Sequence, residues 1–364
     1  MLVIDDVNIH QLHPMSDCVE AMEVAFRDYG IKGAVNIPRI RYQSATSHPE
    51  AIYGSNIHIG TTPSYDTAAV RIGGSVRPAG AKNLGRARKD SNRKSWGFIC
   101  LIDMRTGEPL ALISEFLLSG IRVGATNAVA AKYLTRPEVS TVGMFGSGKI
   151  ARTTLEALLL VRPIERVKVF SPTKEHREQY ATEMSSKFDI EVVAVEQPRD
   201  AMTDVEIVAC ITNAGYVSGK PVFDGNWLQE GQFVIAVQNT DPNFFKTEID
   251  DTTIMRSKLI VINDKESVFW NKQQELLGPI DRGVISWDDI ETLGNIVAAG
   301  KPRTELKAQD IVWYKNSTGM GIQMAAAGAK IYQRALDTGV GVEVSADGLM
   351  GDGSGVAHTR EFSW

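Results

Sequence analysis

The sequence predicts an α/β protein: a doubly wound parallel sheet in the second half, preceded by a smaller unit of mixed α+β character. Three observations predict it. From Thr141 onward, short apolar strands alternate with helix-length segments, the pattern of a parallel sheet covered on both faces. The first of those strands runs directly into Gly146-x-Gly148-x-x-Ala151, which opens a helix. The residues before Thr141 lack this alternation, and a length of 364 residues suits two domains.

In chain order, Asp17-Cys18-Val19-Glu20 has capping-box spacing, and Met22, Ala25, Phe26 and Tyr29 recur at helical spacing before Gly30. Strand-like pieces follow at 37–42 and 68–72. Gly97 to Ile102, the turn Arg105-Thr106-Gly107-Glu108, and Pro109 to Ile113 read as an antiparallel hairpin. Ser119 to Leu134 reads as a helix that stops before Pro137; its Gly124, Ala125, Ala128 and Ala131 permit close packing.

In the second half, strands are predicted at Thr141 to Phe145, Arg166 to Phe170, Glu191 to Val195, Glu206 to Ile211, Phe233 to Val237 and Leu259 to Ile262. Helices run to Leu160 and from Thr173 to Lys187, and the crossovers are expected to be right-handed. An Ala-rich helix spans Gly321 to Leu336. The Gly-, Ser- and Asp-rich tail beyond Gly339 reads as a poorly packed arm.

The glycine loop carries the most specific chemistry. Gly146 permits the tight turn, Gly148 lets backbone approach a pyrophosphate, and Ala151 keeps the helix close to the sheet. The helix N-terminus then faces phosphate charge with unpaired N–H groups, so Gly146, Ser147, Gly148, Lys149, Ile150 and Ala151 are cofactor-binding candidates. An NAD site commonly places Asp or Glu at the end of the next strand. Here the run is Phe170-Ser171-Pro172-Thr173-Lys174, with Arg177 one turn on. Hydroxyls and cations at Ser171, Thr173, Lys174 and Arg177 suit the extra phosphate, so NADP is favoured over NAD.

Composition narrows the classes. The 39 basic and 44 acidic residues leave a net charge of -5, which argues against a general nucleic-acid binder. No run approaches the roughly 20 apolar residues of a bilayer span, and the start has no signal-peptide pattern. Cys18, Cys100 and Cys210 are scattered, so free core cysteines in a reducing cytoplasm are expected. Neither the histidine spacing nor a Cys/His cluster points to a metal.

Four features in order make the chain resemble the ornithine cyclodeaminase/mu-crystallin family. They are Pro38-Arg39; Asp103 to Ala111 running into Leu118 to Ala125; Gly146 to Arg152; and Lys315-Asn316-Ser317-Thr318-Gly319-Met320-Gly321 opening the last helix. The resemblance covers about Met1 to Gly341. It implies a Rossmann-type doubly wound parallel sheet (135–316) and a mixed α+β substrate and dimerisation domain (1–134, completed by 317–341), with 342–364 as an arm. It also implies a homodimer, a nicotinamide cofactor, and a carboxylate-bearing amino or imino acid substrate.

In the family, two arginines and a lysine hold the substrate carboxylate. The resemblance places the arginines at Arg39 and Arg122, and the lysine position falls at Arg71. Several guanidinium forks aimed at one pocket suit bidentate carboxylate binding, but an arginine at 71 holds its proton too tightly to act as an acid or base. The family's cyclodeaminases use an aspartate after the fifth strand of the nucleotide domain. Here Thr240 takes that position and Asp241 is one residue beyond, a candidate for catalysis or for capping the turn before Pro242. Where the family shows Glu-Asp in the last helix, this chain has Gln323-Met324.

His58 lies near the expected pocket strand, where an imidazole of near-neutral pKa could donate a proton to an imine. The basic run Arg86 to Lys94, with Arg77 and Lys82 before it, could be a solvated insertion, a lid or a subunit contact. Folded over the pocket, it would favour a dicarboxylate or opine-like substrate. Trp96 reads as a hydrophobic anchor. These readings lead to an NAD(P)-dependent imino acid reductase or amino acid dehydrogenase acting at Cα. Ornithine cyclodeamination and a non-enzymatic, crystallin-like binding protein are the alternatives.

Overall fold

The protein is described by a computed structural model covering residues 1–79, 95–214, 220–238, 247–302, 305–316 and 319–347, with the side chains of residues 77 and 95 left aside. Its first half builds strands β1 (Leu2–Ile4), β2 (Asn36–Ala45), β3 (Ala51–Thr62), β4 (Thr67–Pro78), β5 (Ser95–Asp103) and β6 (Pro109–Ser114). Strands β2 to β6 form an antiparallel meander, and β1 pairs parallel to β6. The hairpin expected around Gly107 is the β5–β6 pair. Helix α1 (Asp6–Leu12) follows β1, and α2 (Met15–Gly30) buries Met22, Ala25 and Phe26. The expected capping box does not start α2: the helix begins two residues before Asp17, behind Pro14, whose fixed φ suits a helix entry.

The long helix α3 (Phe116–Leu134) begins three residues before the expected start and leads to the second sheet. Its strands are β7 (Thr141–Phe145), β8 (Arg166–Phe170), β9 (Glu191–Ala194), β10 (Ile207–Cys210), β11 (Phe233–Ala236), β12 (Leu259–Ile262), β13 (Ile290–Thr292) and β14 (Val312–Lys315). They lie in the order β13-β12-β14-β11-β10-β7-β8-β9, every pair parallel. Strands β7, β10, β11 and β12 bury nearly every residue, as a sheet covered on both faces requires. The chain order reverses at β7, between β8 and β10, so the crevice for a ligand lies at the C-terminal ends of these strands.

Helices α4 (Lys149–Leu159) and α5 (Lys174–Phe188) cross over from β7 and β8. The small residues of α3 have the expected consequence. A Cβ on Gly124 would sit 2.4 Å from the Thr153 carbonyl oxygen, so α3 and α4 meet at a distance only glycine allows. Four short helices follow, α6 (Asp251–Arg256), α7 (Lys265–Trp270), α8 (Gln274–Asp281) and α9 (Leu293–Ala299).

The last helix, α10 (Gly321–Thr338), returns to the first sheet and packs on α2, β3 and β4. Thr62 and Thr67 donate their hydroxyls to the Ile322 and Ala325 carbonyls, at 3.0 and 3.2 Å. Part of the tail expected to be loose is paired: β15 (Val342–Glu343) adds antiparallel to β1. Among the described residues, no helix is long and apolar enough to cross a membrane.

Candidate active site

Cross-strand register assembles the first part of the site. His58 on β3 faces Arg71 on β4. A register shift between Ile37 and Ile40 sets two residues of β2, Pro38 and Arg39, opposite His58. Facing residues share a face of the sheet, so Arg39, His58 and Arg71 form one row across three strands. The charges of Arg39, Arg71 and Arg122, with Arg41 behind them, all bear on His58. The three arginines named from the sequence therefore converge.

Each guanidinium is held. Arg39 Nε donates to Asn271 Oδ1 at 3.3 Å, a contact reaching across to the loop after α7. Arg71 donates to Asn56 and pairs with Glu115, lying over Gly73, where a side chain would collide with it. Glu115, the residue just before α3, packs in turn over Gly97. Arg122 comes from the second turn of α3 and donates to Gln323 Oε1 at 3.1 Å. Gln323 also accepts from the Met320 N–H and donates to Thr126 at 2.8 Å. The glutamine that departs from the family pattern thus keeps polar contacts and orients Arg122. Burial pushes the Arg122 guanidinium down to about 10, with Glu115 opposing and Arg71 adding to the shift.

His58 corrects an expectation. It is 5% exposed, and burial together with Arg39, Arg71 and Arg122 drives its pKa well below 6.5. A cation among guanidinium groups is disfavoured, so the ring is held in its neutral form. Among the described residues, both His58 nitrogens, Arg71 Nε, Arg122 Nε and Asn36 Nδ2 are buried without a hydrogen-bond partner. Orphaned donors on this scale are costly, and carboxylate oxygens are the acceptors that guanidinium donors suit best.

The second part is a cavity of about 1160 Å³ at the C-terminal ends of β7, β8, β10 and β11. The whole glycine loop except Ala151 lines it; Ala151 is buried behind the loop, as the close helix–sheet contact demands. Gly146 has φ +104°, and a Cβ there would strike the Ile211 carbonyl oxygen at 2.2 Å. A Cβ on Gly148 would meet nothing within 4 Å, so the loop fronts open space where α4 starts without a side-chain cap. An open cradle, a helix N-terminus and a volume of this size fit a dinucleotide.

The far wall is Ile211 to Ala214, Lys220 to Val222, and Val237, while Phe116, Ser119 and Gly120 of α3 close one end. Helix α3 therefore borders the cavity and carries Arg122, joining the two parts of the site. Lys149 Nζ ties the walls together by donating to the Phe116 carbonyl at 2.6 Å.

At the end of β8, Ser171 and Thr173 line the cavity, together with His176 and Gln179. Lys174 stands outside the lining, 3.7 Å from Glu178, and the buried Arg177 donates to the Ser171 carbonyl at 3.1 Å. Arg177 shapes the strand end rather than facing the cavity. Among the described residues that line the cavity, none is a carboxylate. Asp241, Lys82 and the run 86–94 lie outside the described residues, as does the Arg77 side chain. Trp96, expected as an anchor, is 42% exposed and stacks on Phe98 with ring centres 5.9 Å apart.

Sequence reasoning missed Glu115, Asn56, Asn271 and the stabilising use of Gln323, all partners supplied by distant segments. It also missed Glu248, and it named Lys315 only as part of the signature before the last helix. Among the described residues no group of His, Cys, Asp and Glu side chains is placed to hold a metal ion.

A parallel sheet with a dinucleotide-sized cavity, set beside a buried cluster of arginines, defines the class. The chain belongs to the ornithine cyclodeaminase/mu-crystallin family, which it matches over residues 1–339. It is 28% identical over 345 residues to the Delta(1)-pyrroline-2-carboxylate reductase of Bacillus cereus, spanning 94% of this chain and 99% of that protein. It is 29% identical over 240 residues to the alanine dehydrogenase of Archaeoglobus fulgidus, spanning 66% of this chain and 70% of the relative. A solved structure, Thermococcus litoralis Delta(1)-pyrroline-2-carboxylate reductase in complex with NADH and L-proline, superposes with a TM-score of 0.80 at 29% identity. The match covers 94% of this chain and 100% of the other.

Proposed function

We propose that this protein is an NAD(P)-dependent oxidoreductase that transfers hydride at the α-carbon of a small amino or imino acid. The observation that carries the proposal is the sharing of one helix. Helix α3 brings Arg122 to the arginine row and Phe116, Ser119 and Gly120 to the dinucleotide cavity. A carboxylate seated among Arg39, Arg71 and Arg122 would hold its α-carbon at the α3 end of that cavity. The nicotinamide, when bound, supplies or accepts the hydride.

The protein's part is orientation and charge. Arg39, Arg71 and Arg122 would turn their guanidinium charge toward the substrate carboxylate, with the neutral His58 ring among them. Glu115 and Gln323 fix the two guanidinium planes. Neither Arg71 nor neutral His58 is suited to deliver the proton that imine reduction requires. Asp241 or water is the proposed source.

Several finer readings belong to the same proposal. Residues 135–316 hold the cofactor, and 1–134 with 317–341 hold the substrate and form a homodimer contact. Ile40 and Phe98 stand in one cross-strand row of the first sheet, Tyr42 and Trp96 in the next, on the face opposite His58; all four are substantially exposed. Apolar rows of this kind support burial against a second copy. The absence of a carboxylate among the described lining residues supports NADP over NAD, and the free cysteines suit the cytoplasm.

A nicotinamide absorbance assay with both cofactors tests the proposal, with amino acids in one direction and oxo acids plus amines, or a cyclic imino acid, in the other. Substrate-dependent change with at least one α-imino acid is expected. Ornithine conversion to proline with no net cofactor change would replace the reading with cyclodeamination. Cofactor binding with no turnover across the set would replace it with a binding protein.

A further inference from the structure

One buried carboxylate ties together the ends of two central strands on the cavity wall. Glu248, 3% exposed, accepts at Oε1 from the Thr212 N–H and hydroxyl, at 2.6 and 2.7 Å. Its Oε2 accepts from the Val237 and Gln238 N–H groups, at 3.1 and 2.8 Å. Thr212 follows β10 and Val237 follows β11, and both line the cavity. Glu248 therefore bridges the gap just past Cys210–Ala236, the last pair of that ladder.

Lys315, at the end of β14 and 1% exposed, grips the same place from the other side. Its Nζ donates to the Gln238 carbonyl and lies 3.4 Å from Glu275 Oε1. The Gln238 residue is thus held at its N–H by Glu248 and at its C=O by Lys315. Asn316 extends the network: its N–H donates to the Ala236 carbonyl at 2.9 Å, and its Nδ2 to Asn127 Oδ1 on α3 at 2.8 Å. Asn263 Nδ2 donates to Asn316 Oδ1 at 3.0 Å, and the Tyr314 hydroxyl donates to Asn263 at 2.5 Å.

Buried ion pairs are seldom the most stabilising way to fill space, because desolvation cancels much of their attraction. What such a network does supply is a fixed geometry, and this one joins the cavity wall to the helix that carries Arg122. We infer that Glu248 and Lys315 are positioning residues: by clamping Gln238 from both sides they fix the Val237–Thr212 wall at a set distance from α3, and so hold a bound nicotinamide in register with the carboxylate seat. The inference rests on the oxidoreductase reading above.

The full-length variants Glu248→Gln, Lys315→Met and Thr212→Val test it. Glutamine puts an NH2 in place of one of Glu248's two acceptor oxygens. Methionine removes the donor to Gln238. Valine removes the hydroxyl's bonds to Glu248 and from the Ala214 N–H but leaves the Thr212 N–H on Glu248, and keeps the fold if the other two fail to fold. NADH and NADPH affinity is measured by the fluorescence of the bound reduced cofactor, without substrate, alongside the isotope effect of a 4-deuterated cofactor on kcat.

For Glu248→Gln and Lys315→Met the expected result is cofactor Kd raised at least fivefold and kcat per bound cofactor lowered at least tenfold. The isotope effect should rise, with substrate KM held within about threefold. For Thr212→Val a two- to threefold rise in Kd is expected. Variants that lose thermal stability but keep the wild-type Kd and isotope effect would overturn the inference and leave the oxidoreductase reading intact. Wild-type protein that binds neither cofactor would overturn both.

Discussion

Arg71 and Arg122 each present a buried Nε–H that no described protein group accepts, beside a histidine in the same condition. Removing one partner of a buried charged hydrogen bond typically costs 2–5 kcal/mol. Arg122→Ala is therefore expected to lower kcat/KM for the imino acid about a hundredfold or more while cofactor Kd stays within twofold, as steady-state kinetics and fluorescence titration would show. Equal losses in both would contradict the assignment.

Glu115→Gln should act more mildly, since Arg71 keeps Asn56 as a partner. A tenfold rise in substrate KM is expected.

Acid stability also follows from buried histidines. Burial lowers the His13 pKa from 6.5 to about 4, and His58 is shifted in the same direction. Both rings take up protons on unfolding, so their contribution is full above about pH 6.5 and is lost as pH falls toward the folded pKa. His13 alone gives about 2 kcal/mol of loss between pH 7 and 5. Urea unfolding of His13→Gln at pH 5 and 7 should show a correspondingly smaller drop than wild type.

At this scale the arginines were legible because the resemblance marked them. Glu115 and Gln323 were not, because a glutamate before a helix or a glutamine within one carries no sign of the arginine it meets 44 or 201 residues away.

Among the elements, the strands of the second sheet were read to within a residue or so, because each is a short apolar run bounded by polar turns. Six of its eight strands were read in this way; β13 and β14, and β3 of the first sheet, were not. The register shift in β2 that brings Arg39 opposite His58 was also invisible, since a two-for-one pairing depends on the partner strand. The α3–α4 contact shows what a local pattern can specify: small residues were seen, and close approach followed. Gly124→Ala should force the helices apart against the Thr153 backbone and lower the melting temperature by several degrees. Because α3 also carries Arg122, a rise in substrate KM should accompany the thermal shift, whereas unchanged kinetics would separate the helix contact from the site.

In the whole molecule, the two sheets meet through α3, α10 and the polar network around Asn316. Helix α10 gives Gln323 to the arginine cluster and buries Ala325, Ala326 and Ala327 against the first half of the chain. The return of the chain to its starting sheet was implied by family resemblance. Hydrophobic periodicity alone gives a helix without telling where it docks. If the cavity holds the dinucleotide, cofactor at a hundred times its Kd should add about 2.7 kcal/mol of stability, visible as a rise in melting temperature.

Hydride transfer at Cα requires a carboxylate lying among the arginines at the α3 end of the cofactor cavity. A crystal structure with reduced cofactor and L-proline tests this most directly. The proline carboxylate should lie within hydrogen-bond distance of the Arg39, Arg71 and Arg122 guanidinium groups, with the dinucleotide along the Gly146–Ile150 loop. A carboxylate bound away from these donors, or a dinucleotide outside that cavity, would contradict this placement.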